Sequence, residues 1–103
     1  MNSIQSLVVD DGPVIGRDVQ RSLQGLGYAV PGLASDGPGA LELARRINPD
    51  LVIMDVRLKG EMDGIETAMK IKRACGAPVV YLTALADEET IRRARETEPY
   101  GFL

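Results

Sequence analysis

Short apolar runs alternate with stretches whose apolar residues recur every three or four positions, and this alternation fills the chain. Leu7-Val8-Val9 is the first run. Pro13 follows at a helix start, where its missing N–H costs nothing. Ile15, Val19, Leu23 and Leu26 then fall at helical spacing, with Arg17, Asp18, Gln20, Arg21 and Gln24 between them. Gly25 and Gly27 mark the end. Tyr28 to Ala34 reads as a weaker strand; Pro31 within it cannot donate to a ladder, which places it at a sheet edge. After the turn Ser35-Asp36-Gly37-Pro38-Gly39, a second helix takes its apolar side from Leu41, Leu43, Ala44 and Ile47 and is stopped by Asn48-Pro49-Asp50. Leu51 to Met54 is a third strand, apolar on both faces, as a parallel strand between two helix layers should be. Gly64 to Cys75 is a third helix with Ile65, Ala68, Met69 and Ile71 inward, and Pro78 to Leu82 a fourth strand. Asp87 to Thr97 is a fourth helix with a thin apolar side, Ile91 and Ala94, and Gly101-Phe102-Leu103 begins a fifth strand. The order βαβαβαβαβ predicts an α/β fold with a doubly wound parallel sheet.

The polar residues that end the strands carry the chemistry. The first run stops at Asp10-Asp11, and the third stops at Asp55, which opens the glycine-containing loop from Val56 to Gly64. In an open α/β sheet, ligands bind beyond the C-terminal ends of the strands. Three carboxylates delivered there repel one another, so the pocket should hold a cation or a raised pKa. Asp11 and Asp55, with the backbone carbonyl of Arg57, form a sparse oxygen-donor site of the kind Mg²⁺ accepts while keeping several waters. An ionised Asp can also act as a nucleophile toward phosphorus, and Thr83, at the tip of the fourth strand, offers a hydroxyl to a phosphoryl oxygen.

Taken singly, these residues have plainer readings. Asp10 and Asp11 fit a solvated turn or a helix cap, Asp55 a loop carboxylate, Thr83 a cap of the segment before the fourth helix, Asp63-Gly64 a turn and helix entry, and Phe102 a core or edge aromatic. The fourth helix fits a merely exposed surface helix, and Arg45-Arg46 and Arg92-Arg93-Arg95 fit solvated faces balanced by Glu88, Glu89, Glu96 and Glu98. What favours the chemical reading is that Asp10, Asp11, Asp55 and Thr83 all fall at one edge of the sheet.

Composition narrows the field. At 103 residues the chain is one domain, 45% apolar, with a core that must be aliphatic because aromatics are scarce. A net charge of −3 gives no global attraction for nucleic acid or anionic lipid. No run approaches the roughly 20 apolar residues of a membrane span, and no secretory signal opens the chain. Cys75 is the single cysteine and reads as a small buried apolar residue; it cannot form an intrachain disulfide, which suits a reducing cytoplasm. Without histidine, zinc ligation and serine or cysteine nucleophile chemistry lack their partner. The loop from Asp55 has glycine and glutamate at the spacing of a calcium loop (Gly60, Glu66), but its third and fifth positions are Arg57 and Lys59, which cannot coordinate Ca²⁺. Neither a P-loop nor a GxGxxG motif follows a strand.

The chain resembles the receiver domains of two-component response regulators over essentially all 103 residues. Leu7 to Asp11 resembles that family's first strand and acidic pair, Asp50 to Glu66 its phosphoacceptor strand and following loop, Pro78 to Ala84 its fourth strand, and Glu98 to Leu103 the approach to its fifth. The resemblance implies a flavodoxin-like five-stranded sheet of order 2-1-3-4-5. It implies Asp55 as the phosphorylated aspartate and Asp11, Asp55 and the Arg57 carbonyl as ligands of Mg²⁺ or Mn²⁺, with Asp10 supporting through water. Thr83 would contact the phosphoryl group, and Phe102 would be the switch aromatic. The implied partners are a histidine kinase or histidine phosphotransfer domain and an output domain or effector, with no direct nucleic-acid or membrane binding, and oligomers are possible. The implied enzymology is self-catalysed phosphotransfer and dephosphorylation alone, unless the domain is fused to a kinase or other output domain.

The family's lysine, in a Lys-Pro pair after the fifth strand, would fall two residues past Leu103. Residues 1–103 are therefore expected to be a receiver domain shortened at its C-terminal end, with the fifth strand incomplete and the fifth helix missing. Without that lysine one phosphoryl oxygen would lose a charge-assisted partner. Two rival readings differ in class. A Mg²⁺-dependent phosphohydrolase usually needs a second carboxylate two residues after its nucleophile, where this chain has Arg57 or Gly12. A phosphorylation-independent interaction module of the same fold would not need the full carboxylate set.

Overall fold

A computed structural model describes residues 4–12, 14–58, 60–83 and 86–103. Pro13, Lys59 and Ala84, used above to place the first helix start, the Asp55 loop and the end of the fourth strand, lie outside the described residues. The elements run β1 (Gln5–Val9), α1 (Ile15–Gly25), β2 (Ala29–Ala34), α2 (Gly37–Ile47), β3 (Leu51–Asp55), α3 (Gly64–Cys75), β4 (Val79–Leu82), α4 (Glu88–Glu96) and β5 (Gly101–Phe102). The five strands are parallel and ordered β2-β1-β3-β4-β5. The chain reverses its direction of winding between β1 and β3, which opens a crevice at their C-terminal ends. No helix among the described residues is long and apolar enough to cross a membrane.

β2 is the edge strand that Pro31 requires. Gln5 pairs with Ala29 and Leu7 with Gly32, so Ser6 of β1 alone faces Val30-Pro31 of β2, and the irregularity takes up the extra residue. The helices divide unequally between the two faces of the sheet. Leu7, Val9, Val52, Met54, Val79 and Tyr81 meet α2, α3 and α4 in one large core. On the other face Val8, Val30 and Ile53 meet Val19 and Leu23 of α1 in a much smaller one.

Side-chain details depart from the periodicity in two helices. Ile15 and Leu26 are exposed, and α1 rests on Val19, Leu23 and the buried Gly16. Leu26 falls in the turn after α1 has ended, where the helical spacing no longer holds. In α3, Met69 is exposed and Thr67 is fully buried in its stead. A polar residue is tolerated there because its hydroxyl donates to the Asp63 carbonyl at 2.7 Å. The neighbouring helix comes close at this point, since a Cβ on Gly37 would lie 2.7 Å from Thr67 Oγ1. Cys75 is half-buried, packed at the rim of the large core with Sγ 3.5 Å from the Ala44 carbonyl.

Helix ends follow local chemistry. Asp36, Asp63 and Asp87 cap α2, α3 and α4 by accepting the N–H of Gly39, Glu66 and Thr90. In the segment before α4, the Thr83 carbonyl accepts the Ala86 N–H at 3.0 Å, while Asp87 caps the helix itself. Asn48 and Gly76 close α2 and α3 in the left-handed region.

Candidate functional site

The parallel register of β1 and β3 brings the acidic residues together. Val9 lies opposite Met54, so the next residue on each strand, Asp10 and Asp55, emerges side by side. The Asp10 N–H still pairs with the Ala34 carbonyl at 3.0 Å, which holds the chain in ladder geometry to that point. One carboxylate oxygen each from Asp10, Asp11 and Asp55 lies within 4.8 Å of the others. Asp10 is buried, and Asp11 and Asp55 are half-buried.

Two of these carboxylates are oriented by their own loops. Asp10 Oδ1 accepts the Gly12 N–H at 2.6 Å, and Asp55 Oδ1 accepts the Arg57 N–H at 2.9 Å. A Cβ at position 12 would sit 3.1 Å from Asp10 Oδ1, so glycine lets the loop turn tightly over the carboxylate. Burial raises the pKa of Asp10 above the ordinary carboxylate range; the Gly12 N–H opposes this, and the charge on Asp11 adds to it. Asp55 is raised in the same way, first by burial, against the pull of the Arg57 N–H, and then by the charges of Asp10 and Asp11. An oxygen-only, anionic, partly open donor set of this kind matches a hard divalent ion.

From below, the Asp55 end of β3 is held by the start of α3. A Cβ on Gly64 would lie 1.8 Å from the Asp55 carbonyl oxygen and 2.8 Å from Val56 Cα, closer than any side-chain carbon can come. The sequence reading of Asp63-Gly64 as a turn and helix entry holds, with Asp63 the cap and Gly64 the first residue of α3, but it did not reveal this backbone contact. The signal was a glycine placed directly after a helix cap, but nothing local tells which backbone it touches.

Thr83 and Phe102 lie along the neighbouring strands. Asp55 pairs with Leu82, so Thr83 follows at the same sheet edge. Its hydroxyl donates to the Leu103 carbonyl at 2.7 Å and makes no hydrogen bond to a carboxylate among the described residues. Phe102 pairs with Tyr81 in register, with ring centroids 5.9 Å apart and planes tilted by 34°, and remains partly exposed at 38%.

The sequence profile of the response regulator receiver domain matches residues 6–103. The chain belongs to this family. Such receiver domains serve two-component signal transduction, and in general they bind Mg²⁺ through a cluster of acidic residues. The receiver is 39% identical to the Mycobacterium tuberculosis transcriptional regulatory protein PdtaR over 97 residues, covering 94% of this chain and 47% of PdtaR. It is 42% identical to the Escherichia coli transcriptional regulatory protein ZraR over 103 residues, covering 99% of this chain and 23% of ZraR. Among solved structures it resembles the signal receiver domain of a modulated diguanylate cyclase from Desulfovibrio desulfuricans. That match has a TM-score of 0.94 and 33% identity, covering 99% of this chain and 81% of that one. It also resembles Vibrio cholerae chemotaxis protein CheY4, with a TM-score of 0.86 and 28% identity, covering 99% of this chain and 86% of that one. The receiver thus spans less than half the length of these two curated relatives.

Proposed function

We propose that this receiver accepts a phosphoryl group on Asp55 and uses it to switch an output surface. The observation that carries the reading is the convergence of Asp10, Asp11 and Asp55 within 4.8 Å at the C-terminal ends of β1 and β3. An Asp55 carboxylate oxygen attacks phosphorus, and the bond from phosphorus to the donor's histidine nitrogen, or to the acyl oxygen of a small donor such as acetyl phosphate, breaks. Mg²⁺ or Mn²⁺, when bound, offsets the charge of the incoming phosphoryl group. Asp11, Asp55 and the Arg57 carbonyl would hold the ion directly, and Asp10 would do so through water. The contact with Gly64 fixes the strand end, so the nucleophile is aligned before the donor arrives.

Thr83 would then leave the Leu103 carbonyl for a phosphoryl oxygen, and Phe102 would turn inward beside Tyr81. This reshapes the surface made by α4 and β5, where an output domain or effector docks, in a two-state shift driven by added charge. A histidine kinase or histidine phosphotransfer domain of the cytoplasm supplies the phosphoryl group. Incubation with acetyl phosphate and Mg²⁺ should label the parent chain and leave Asp55→Asn unlabelled; comparable label on the variant would contradict the assignment.

A further inference from the structure

α4 has little apolar purchase on the sheet. Ala94 is its fully buried residue and Ile91 is half-buried. Its position therefore depends on polar ties. At its C-terminal end, Tyr81 Oη and Thr97 Oγ1 share a 2.8 Å hydrogen bond, and Lys72 Nζ donates to the Thr97 carbonyl at 2.9 Å. Nearer its middle, Arg93 Nη2 donates to Asp63 Oδ2 at 3.2 Å. The other oxygen of Asp63 accepts the Glu66 N–H at 2.9 Å and caps α3. Gly64, the next residue, presses on the Asp55 carbonyl. One carboxylate thus joins α4 to the helix end that backs the phosphoacceptor strand.

We propose that the Arg93–Asp63 pair is a latch that holds α4 against the start of α3 and opposes its release when Asp55 is phosphorylated. This rests on the phosphoacceptor reading and adds the restraint that reading lacks. The pair is partly exposed, with Arg93 at 42% and Asp63 at 30%, so its strength is modest. Modest strength suits a two-state element, because a restraint of this size changes populations a few-fold without locking either state. Arg92 provides an internal contrast: its partners Glu89 and Glu96 are on α4 itself, so its ion pairs travel with the helix and cannot anchor it.

The test compares the parent chain with Arg93→Met, Asp63→Asn, the double variant and Arg92→Met. Amide hydrogen exchange over Thr90–Glu96 is read by NMR, and beryllofluoride is titrated in the presence of Mg²⁺. Asparagine keeps a capping oxygen at position 63, so α3 stays capped. Arg93→Met and Asp63→Asn should each speed exchange in α4 and tighten beryllofluoride binding about two- to fivefold. The double variant should do no more than either single one, and Arg92→Met should match the parent. Parent-like exchange and affinity in Arg93→Met, or effects of the two single variants that simply add, would overturn the latch. Failure of the parent chain to bind beryllofluoride would instead overturn the phosphoacceptor reading, and the exchange data would then still show whether the pair restrains α4.

Discussion

Two helices meet the sheet beside one another, and they are attached by opposite means. At the β3–α3 junction backbone packs on backbone: Gly64 leaves no space above the Asp55 carbonyl, and Ile65, Ala68 and Ile71 bury α3 along its length. Across the gap, α4 rests on Ala94 and on hydrogen bonds from Tyr81, Lys72 and Arg93. Close packing resists small displacements. A helix held by a few half-exposed polar contacts can move at little cost. The molecule therefore keeps its proposed phosphoacceptor, Asp55, on the stiff side and its candidate output surface on the yielding one.

The largest expected effect is on the stiff side. Gly64→Ala places a methyl group where the Asp55 carbonyl already sits, so β3 and α3 must separate. Overpacking of this kind should cost about 3 kcal/mol or more, read as a loss of urea midpoint or as failure to fold. A fully stable Gly64→Ala chain would show that the junction is not close-packed. On the yielding side, Tyr81→Phe removes the hydrogen bond to Thr97 but keeps the buried ring. It should cost about 1 kcal/mol and speed amide exchange in α4 while leaving α3 protected. Equal loosening of both helices would erase the contrast between them.

A smaller effect concerns pH. Burial and mutual charge raise Asp10 and Asp55 in the folded state, so folded chains hold protons that unfolded chains have released. Without divalent ions, stability should therefore rise as pH falls from neutral through those raised values toward the ordinary carboxylate range. Asp10→Asn should raise the neutral-pH Tm of the metal-free chain and flatten this dependence. A metal-free Tm that falls steadily over the same mild-acid interval would mean that the carboxylates are not strained together.

Much of this was legible in the sequence, for a physical reason. Leu51 to Met54 is apolar on both faces and ends in Asp55, so strand type and carboxylate placement were written within five residues. The edge position of β2 followed from Pro31, whose backbone lacks a donor. Contacts that join distant segments were not legible. Arg93 and Asp63 are thirty residues apart and each looks like an ordinary surface charge. Thr67 took the inward position expected of Met69 because a backbone carbonyl one turn away satisfies its hydroxyl, which periodicity alone does not encode. Ile15 and Leu26 continued the spacing of α1 without meeting the sheet, whose face on that side is covered by a single helix among the described residues.

The claim on which the account depends is that three carboxylates assemble a cation-dependent phosphate-accepting site at Asp55. Treating the chain with acetyl phosphate, reducing the acyl phosphate with borohydride and mapping the product by mass spectrometry tests it most directly. The account predicts homoserine at position 55 when Mg²⁺ is present and none when it is chelated. Modification centred on another aspartate, or equal modification of Asp55 without a divalent ion, would contradict it.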